Sequence, residues 1–295
     1  MRVHYQQLFR DPTDYSGLDY IGDCGDDGSW TNGALVSVGT GSRYPVKDGI
    51  PNFVPESKAT WTAGNNVRDA TILDDTRQID RNWSDQLEKA NKNEGHYFYN
   101  TLREIAAAGG LILDVASGPG GGCVPSLLLY SPSVCVMMSD LGVRVVERWQ
   151  ELLRGTGHYS NVGFIGLDAT RMPFKPESFD FVVDSGGFGN VEGSNLALSE
   201  ASRVLKIGGT LFLNDAETEG LAGFPADVRR EWADRSPHMR VGWARLVESA
   251  GLEIVEKRVY GTREVRPDES ELGRLAAEYG TRITFRGQSI RALKT

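Results

Sequence analysis

The chain has 295 residues, 40% of them hydrophobic, with three cysteines and a formal net charge of −8. That is enough apolar material for one large α/β domain plus something smaller. The acidity works against a nucleic-acid partner, whose phosphates are bound by positive charge. The N-terminus carries no apolar run behind basic residues, and nothing approaches the roughly 20 apolar residues of a membrane span. The expectation is a soluble, cytoplasmic protein, and the odd cysteine count fits a reducing compartment.

Three parts follow one another, without internal repeats. The first, to about Pro55, is rich in Gly, Asp and aromatic residues, with short strand-like pieces such as Ala34–Val38. The second, about 56–107, reads as largely helical, since Phe98, Leu102 and Ile105 fall on one face of a helix. From Gly109 strands alternate with helices. Leu111–Val115 is a short apolar run stopped by Ser-Gly-Pro-Gly, and Val134–Ser139 is a second, ended by Asp140. Val146, Trp149, Leu152 and Leu153 mark a helix face. Val162–Ile165 precedes Asp168, and Phe179–Val183 precedes Asp184. Ala197, Ala201, Val204 and Leu205 line another helix, Gly208-Gly209 turns the chain, and Thr210–Leu213 is a fifth strand. A helix face at Trp243, Leu246, Val247 and Ala250 stops at Gly251, and Leu252–Tyr260 and Thr281–Leu293 read as the last strands. Such alternation implies a parallel sheet with helices on both faces.

In an open α/β sheet, ligands sit beyond the carboxyl ends of the strands. There the chain places Asp114, the turn Ala116-Ser117-Gly118-Pro119-Gly120-Gly121-Gly122, and then Asp140, Asp168 and Asp184. Glycines let the backbone approach a ligand with no Cβ in the way. Asp140, about 20 residues past the turn, stands where an acid bonds ribose hydroxyls. The pattern reads as a nucleoside site. A nicotinamide or flavin fingerprint wants a third small residue, and that place holds Cys123.

The segment LILDVASGPGGG, with Asp114, Gly118 and Gly120, resembles the first motif of class I S-adenosylmethionine-dependent methyltransferases. Asp168–Asn190 and Glu200–Asp215 resemble that family's later motifs, in the same order. The resemblance implies a Rossmann-like class I methyltransferase fold, α/β, with a seven-stranded, mostly parallel sheet, helices on both faces and a small N-terminal β-rich segment. It implies S-adenosyl-L-methionine as cofactor. Asp114, with Ala116 and the Gly118–Gly120 backbone, would meet the methionine part. Asp140 would hold the ribose, Leu141 would touch the adenine face, and Asp168, helped by Ala169, would accept the adenine amino proton. Asp184 and Ser185 would lie near the sulfonium, and Tyr97 and Tyr99 could close over the cofactor. No catalytic base is assigned; His96, His158, His238 and Asp184 are the candidates.

Gly33–Pro55, with Tyr44-Pro45-Val46, Asp48-Gly49-Ile50-Pro51 and Phe53, resembles the zinc-ribbon activators of tRNA and protein methyltransferases. Only Cys24 stands where ligands are expected, whereas a structural zinc needs about four. The reading is a degenerate, metal-free ribbon over residues 1–58 before a methyltransferase domain over 59–295. The expected acceptor is a small molecule. An RNA or protein acceptor is the alternative, disfavoured by acidity, by the absence of any Lys/Arg-rich run, and by Asp184-Ser185-Gly186-Gly187 in place of a base-gripping motif. A non-methylating reaction, aminocarboxypropyl transfer or cyclisation, stays open. Trp61, Trp83, Tyr97, Phe98, Phe224 and Trp232 are candidates to line the acceptor pocket.

Overall fold

The computed structural model describes residues 3–58, 76–93, 95–157, 159–268 and 270–295. Trp61 and His158 lie outside the described residues. After a 3₁₀ turn at Val3–Leu8, the N-terminal part forms an antiparallel sheet of β1 (Leu18–Cys24), β2 (Trp30–Ser37), β3 (Arg43–Lys47) and β4 (Ile50–Pro51). Asp48 and Gly49 both have positive φ, 49° and 77°, as the two-residue hairpin between β3 and β4 requires. Two helices follow, α1 (Thr76–Lys92) and α2 (Tyr97–Ala108).

The main sheet comprises β5 (Leu111–Asp114), β6 (Cys135–Asp140), β7 (Val162–Gly166), β8 (Phe179–Ser185), β9 (Leu205–Glu219), β10 (Leu252–Glu264) and β11 (Thr284–Lys294), ordered β10-β11-β9-β8-β5-β6-β7. β11 runs antiparallel to the other six strands. The connecting helices are α3 (Val124–Tyr130), α4 (Val143–Thr156), α5 (Ser194–Val204), α6 (Ala226–Arg235), α7 (His238–Val241), α8 (Trp243–Ser249) and α9 (Glu271–Glu278). This is the expected class I arrangement, with two changes in detail. Gly208-Gly209 does not separate a helix from a strand. Phe179 pairs with Leu205 and Phe181 with Thr210, so residues 206–209 loop out of one continuous β9. Nor does β9 stop near Asp215; it runs on to Glu219, paired with Thr284 of β11.

Strand alternation sorts the core into two layers. Ile112, Val136, Met138, Phe164, Val183 and Phe212 pack with α2, α3 and α4. Leu113, Met137, Ile165, Val182, Leu211 and Leu213 pack on the other face with α5 and α8. No helix lies between β7 and β8, where a parallel crossover ordinarily carries one. The N-terminal segment fills that space. Phe9 lies 5.5 Å from Phe174, 5.7 Å from Phe53 and 6.0 Å from Trp30, ring centre to ring centre. Backbone bonds tie it in: Arg10 N–H to Pro173 O (3.0 Å), Lys175 N–H to Leu8 O (2.8 Å), and Phe53 N–H to Gly166 O (2.8 Å). No helix among the described residues is long and apolar enough to cross a membrane.

Candidate active site

The strand order reverses between β5 and β8, and in such sheets the crevice at that point is the ligand site. The glycine turn after β5 forms its floor. Asp114, fully buried, holds the turn from beneath by accepting from the Ser117 hydroxyl and from Cys123 N–H (3.0 Å). Burial pushes its pKa up to about 7, and those bonds offset only part of the cost. A Cβ on Gly122 would sit 2.2 Å from that carboxylate, which is why glycine stands there. Trp149 Nε1 donates to Gly118 O (3.0 Å) and Asn82 Nδ2 to Pro119 O (2.7 Å), so α4 and α1 fix the turn from both sides.

A cavity of about 330 Å³ opens above the turn. Ala116, Gly118, Gly120, Asp140, Leu141, Asp168, Ala169 and Ser185 all line it. Asp140 closes β6: its two oxygens accept the N–H groups of Gly118 (2.8 Å) and Gly142 (2.7 Å), and burial raises its pKa to about 6. Asp168, beyond β7, accepts from Thr170 and pairs with Lys58 Nζ at 2.6 Å. Burial alone would raise the Asp168 pKa; the Lys58 and Thr170 bonds outweigh it and hold it low.

Four sequence candidates sit elsewhere. Asp114 lies under the turn and does not line the cavity. Asp184, also buried, spends one oxygen on the N–H groups of Gly187 (2.7 Å) and Phe188 (2.9 Å), and so shapes the turn after β8. Tyr97 lies away from the cavity, because its hydroxyl donates to Glu256 (2.9 Å) and its ring packs against Phe212. Tyr99 likewise packs against Phe98. Sequence reasoning missed Lys58, Gln86, Asn190, Val191 and Glu192, which complete the lining. Lys58 and Gln86 come from the N-terminal segment and α1, which carry no strand-end signal, and Asn190, Val191 and Glu192 lie several residues past the one at Asp184.

Ser185, Gly186, Asn190 and Glu192 are shared with a second cavity of about 520 Å³. Asp215, His238, Trp232, Tyr260, Phe285 and Gln288 line it. Burial raises the Asp215 pKa to about 6; burial and then the Asp215 charge push Asp184 well above the carboxylate range. His238 stacks on Trp243 at 4.3 Å, and burial lowers its pKa to about 4. His96 instead caps α2, accepting from Phe98 N–H (3.3 Å). Of the proposed aromatic lining, only Trp232 among the described residues reaches this cavity. Phe98 and Phe224 are buried in the core, and Trp83 packs against Trp149.

Residues 113–213 match the methyltransferase domain family. The C-methyltransferase of ubiquinone/menaquinone biosynthesis from Pasteurella multocida (strain Pm70) is 34% identical over 102 residues, 35% of this chain and 38% of its own length. That of Hahella chejuensis is 33% identical over 106 residues, 36% and 43% respectively. A Bacillus halodurans C-125 protein provisionally described as a methyltransferase superposes on 66% of this chain and 98% of its own, with 25% identity and a TM-score of 0.50. The chain carries a class I S-adenosylmethionine-dependent methyltransferase domain. This chain aligns with only about two-fifths of the length of the two curated relatives.

The residues present suit the methyltransferase cofactor. A Cβ on Gly118 or Gly120 would meet nothing nearer than 3.9 Å, so both glycines present bare backbone to the cavity. Asp140 offers a carboxylate for hydroxyl groups, and Leu141, Leu167 and Val191 offer aliphatic surface for a base. The volume falls at the lower end of the small-ligand range of roughly 300–1,000 Å³.

Proposed function

We propose that this chain transfers a methyl group from S-adenosylmethionine to a small-molecule acceptor seated in the second cavity. One observation carries the reading: a nucleoside-sized cavity over the glycine turn opens, across Ser185 and Gly186, into a second cavity of acceptor size. When bound, the cofactor supplies an electrophilic methyl group on a sulfonium. The chain's part is to hold two ligands in line and keep water out. Gly118 and Gly120 would take the methionine end, Asp140 the ribose hydroxyls, and Asp168 with Ala169 the adenine edge. Asp114 and Asp184 act as positioning residues, fixing the turns after β5 and β8 on which those contacts depend. His238 lines the second cavity, where burial holds it neutral at pH 7 and makes it a weak base.

A small acceptor is supported by the net charge of −8, which works against a phosphate-rich partner. The curated relatives' names place them in quinone biosynthesis, which is also small-molecule chemistry. We assign residues 1–58 as a degenerate ribbon that braces β7 and delivers Lys58 to Asp168, and residues 59–295 as the catalytic domain. Three unpaired cysteines favour a reducing, cytoplasmic setting. Calorimetry tests the cofactor assignment: S-adenosylhomocysteine should bind with one-to-one stoichiometry and NAD should not. Binding of NAD in its place would overturn the reading.

A further inference from the structure

Asp168 is already occupied by donors from the chain itself. Its Oδ1 accepts from Thr170 N–H (3.0 Å) and from the Thr170 hydroxyl (2.8 Å). Its Oδ2 accepts from Lys58 Nζ at 2.6 Å. A carboxylate offers roughly four acceptor sites, and these donors fill most of them. The ammonium N–H on Oδ2 makes the same kind of bond that an adenine amino N–H would make there.

Lys58 borders the space into which a base must fit. Both partners line the first cavity, and among the described lining residues Lys58 is the single cation. At about 330 Å³ that cavity is small for a ligand, so a side chain withdrawn from its wall leaves useful room. The lysine can leave without unseating its segment. Lys58 N–H donates to Pro55 O (2.8 Å) and Phe53 N–H to Gly166 O (2.8 Å), which anchors the backbone beside β7. The side chain is 33% exposed, and its flexible four-carbon stem can turn toward solvent. An ion pair this open gains little over hydration, so breaking it is easy.

We infer that Lys58 is a built-in competitor for the adenine amino group: the two contend for Asp168 Oδ2, and binding of the cofactor's base turns the lysine out to solvent. The contest weakens the hold on the nucleoside and makes the N-terminal segment a determinant of cofactor affinity. This rests on reading the first cavity as the cofactor site, with Asp168 at the adenine edge.

Calorimetry on the full chain tests it with two probes: S-adenosylhomocysteine, and its analogue with purine in place of adenine, which lacks the amino group. Lys58→Met keeps the length of the stem and removes the charge. It should bind S-adenosylhomocysteine about fivefold more tightly than wild type, the size of one exposed ion pair, and the purine analogue within about twofold of wild type. Lys58→Arg, which keeps a cation, should bind S-adenosylhomocysteine as wild type does. In wild type, acylation of Lys58 by an N-hydroxysuccinimide ester, read by peptide mass, should quicken when S-adenosylhomocysteine is added. Melting curves report that the variants are folded, and the labelling arm decides even where a variant is not. Weaker or unchanged S-adenosylhomocysteine binding in folded Lys58→Met, an equal gain for the purine analogue, or protection of Lys58 by the ligand would overturn the inference. If S-adenosylhomocysteine binds neither wild type nor variant, the cofactor reading falls and takes this inference with it. Binding with the wrong response at Lys58 removes this inference alone.

Discussion

Replacing Asp140 with alanine separates what this residue does for the fold from what it does for the cofactor. In the protein its carboxylate bonds two backbone N–H groups, at 2.8 and 2.7 Å, while 6% of the residue is exposed. With a pKa raised from 3.8 to about 6, keeping it ionised at neutral pH costs about 3 kcal/mol. Removing it relieves that cost and leaves two N–H groups without acceptors, each a loss of about 1–3 kcal/mol. The two effects oppose each other, so the melting temperature should move by only a few degrees. Cofactor affinity has no such compensation. Loss of a charge-assisted bond to a ribose hydroxyl removes about 1–3 kcal/mol, which is roughly five- to 150-fold in Kd. Calorimetric titration of S-adenosylhomocysteine into wild type and Asp140→Ala measures it directly. A variant that melts normally and binds within twofold of wild type would refute the ribose role.

Stability should rise on mild acidification. Asp140 and Asp215 near 6 and Asp114 near 7 all exceed their unfolded value of 3.8, so each contributes stability that is full below that value and lost as pH climbs through its folded pKa. His238 opposes them, since its pKa falls from 6.5 to about 4 and its contribution disappears as pH drops through that window. Three carboxylates outweigh one imidazole, giving a gain of about 2 kcal/mol between about pH 7.5 and 5.5; a melting temperature that falls over this range would contradict it. Phe9→Ala should cost about 3–5 kcal/mol, as expected for a fully buried ring. Because Phe9 shares its core with Phe174 and Phe179, the loss should appear as one transition at lower temperature. Two transitions with only the first displaced would show that the N-terminal segment folds independently.

Much of the first cavity's lining was legible in the sequence because strand ends announce themselves. An apolar run followed by an acid or by glycines fixes both the strand and the ligand side of the sheet, and so Gly118, Gly120, Asp140, Asp168 and Ser185 could be named. The same logic could not tell an acid that faces a ligand from one that holds a turn. Asp114 and Asp140 both follow apolar runs, yet a Cβ at Gly122 would collide with the first. Tyr97 was misplaced because helical periodicity gives a face but not the partner, here Phe212 and Glu256. Lys58 had no local signal at all; it reaches the cavity through Asp168, an acid distant in sequence.

The central claim is transfer of a methyl group to a small molecule, and product analysis tests it most directly. The chain would be incubated with S-adenosylmethionine labelled on its methyl carbon and with fractionated small-molecule extract, and the products resolved by mass. The account predicts label in a low-molecular-weight product and an equal amount of S-adenosylhomocysteine. Labelled methylthioadenosine, or label recovered in RNA or protein, would contradict it.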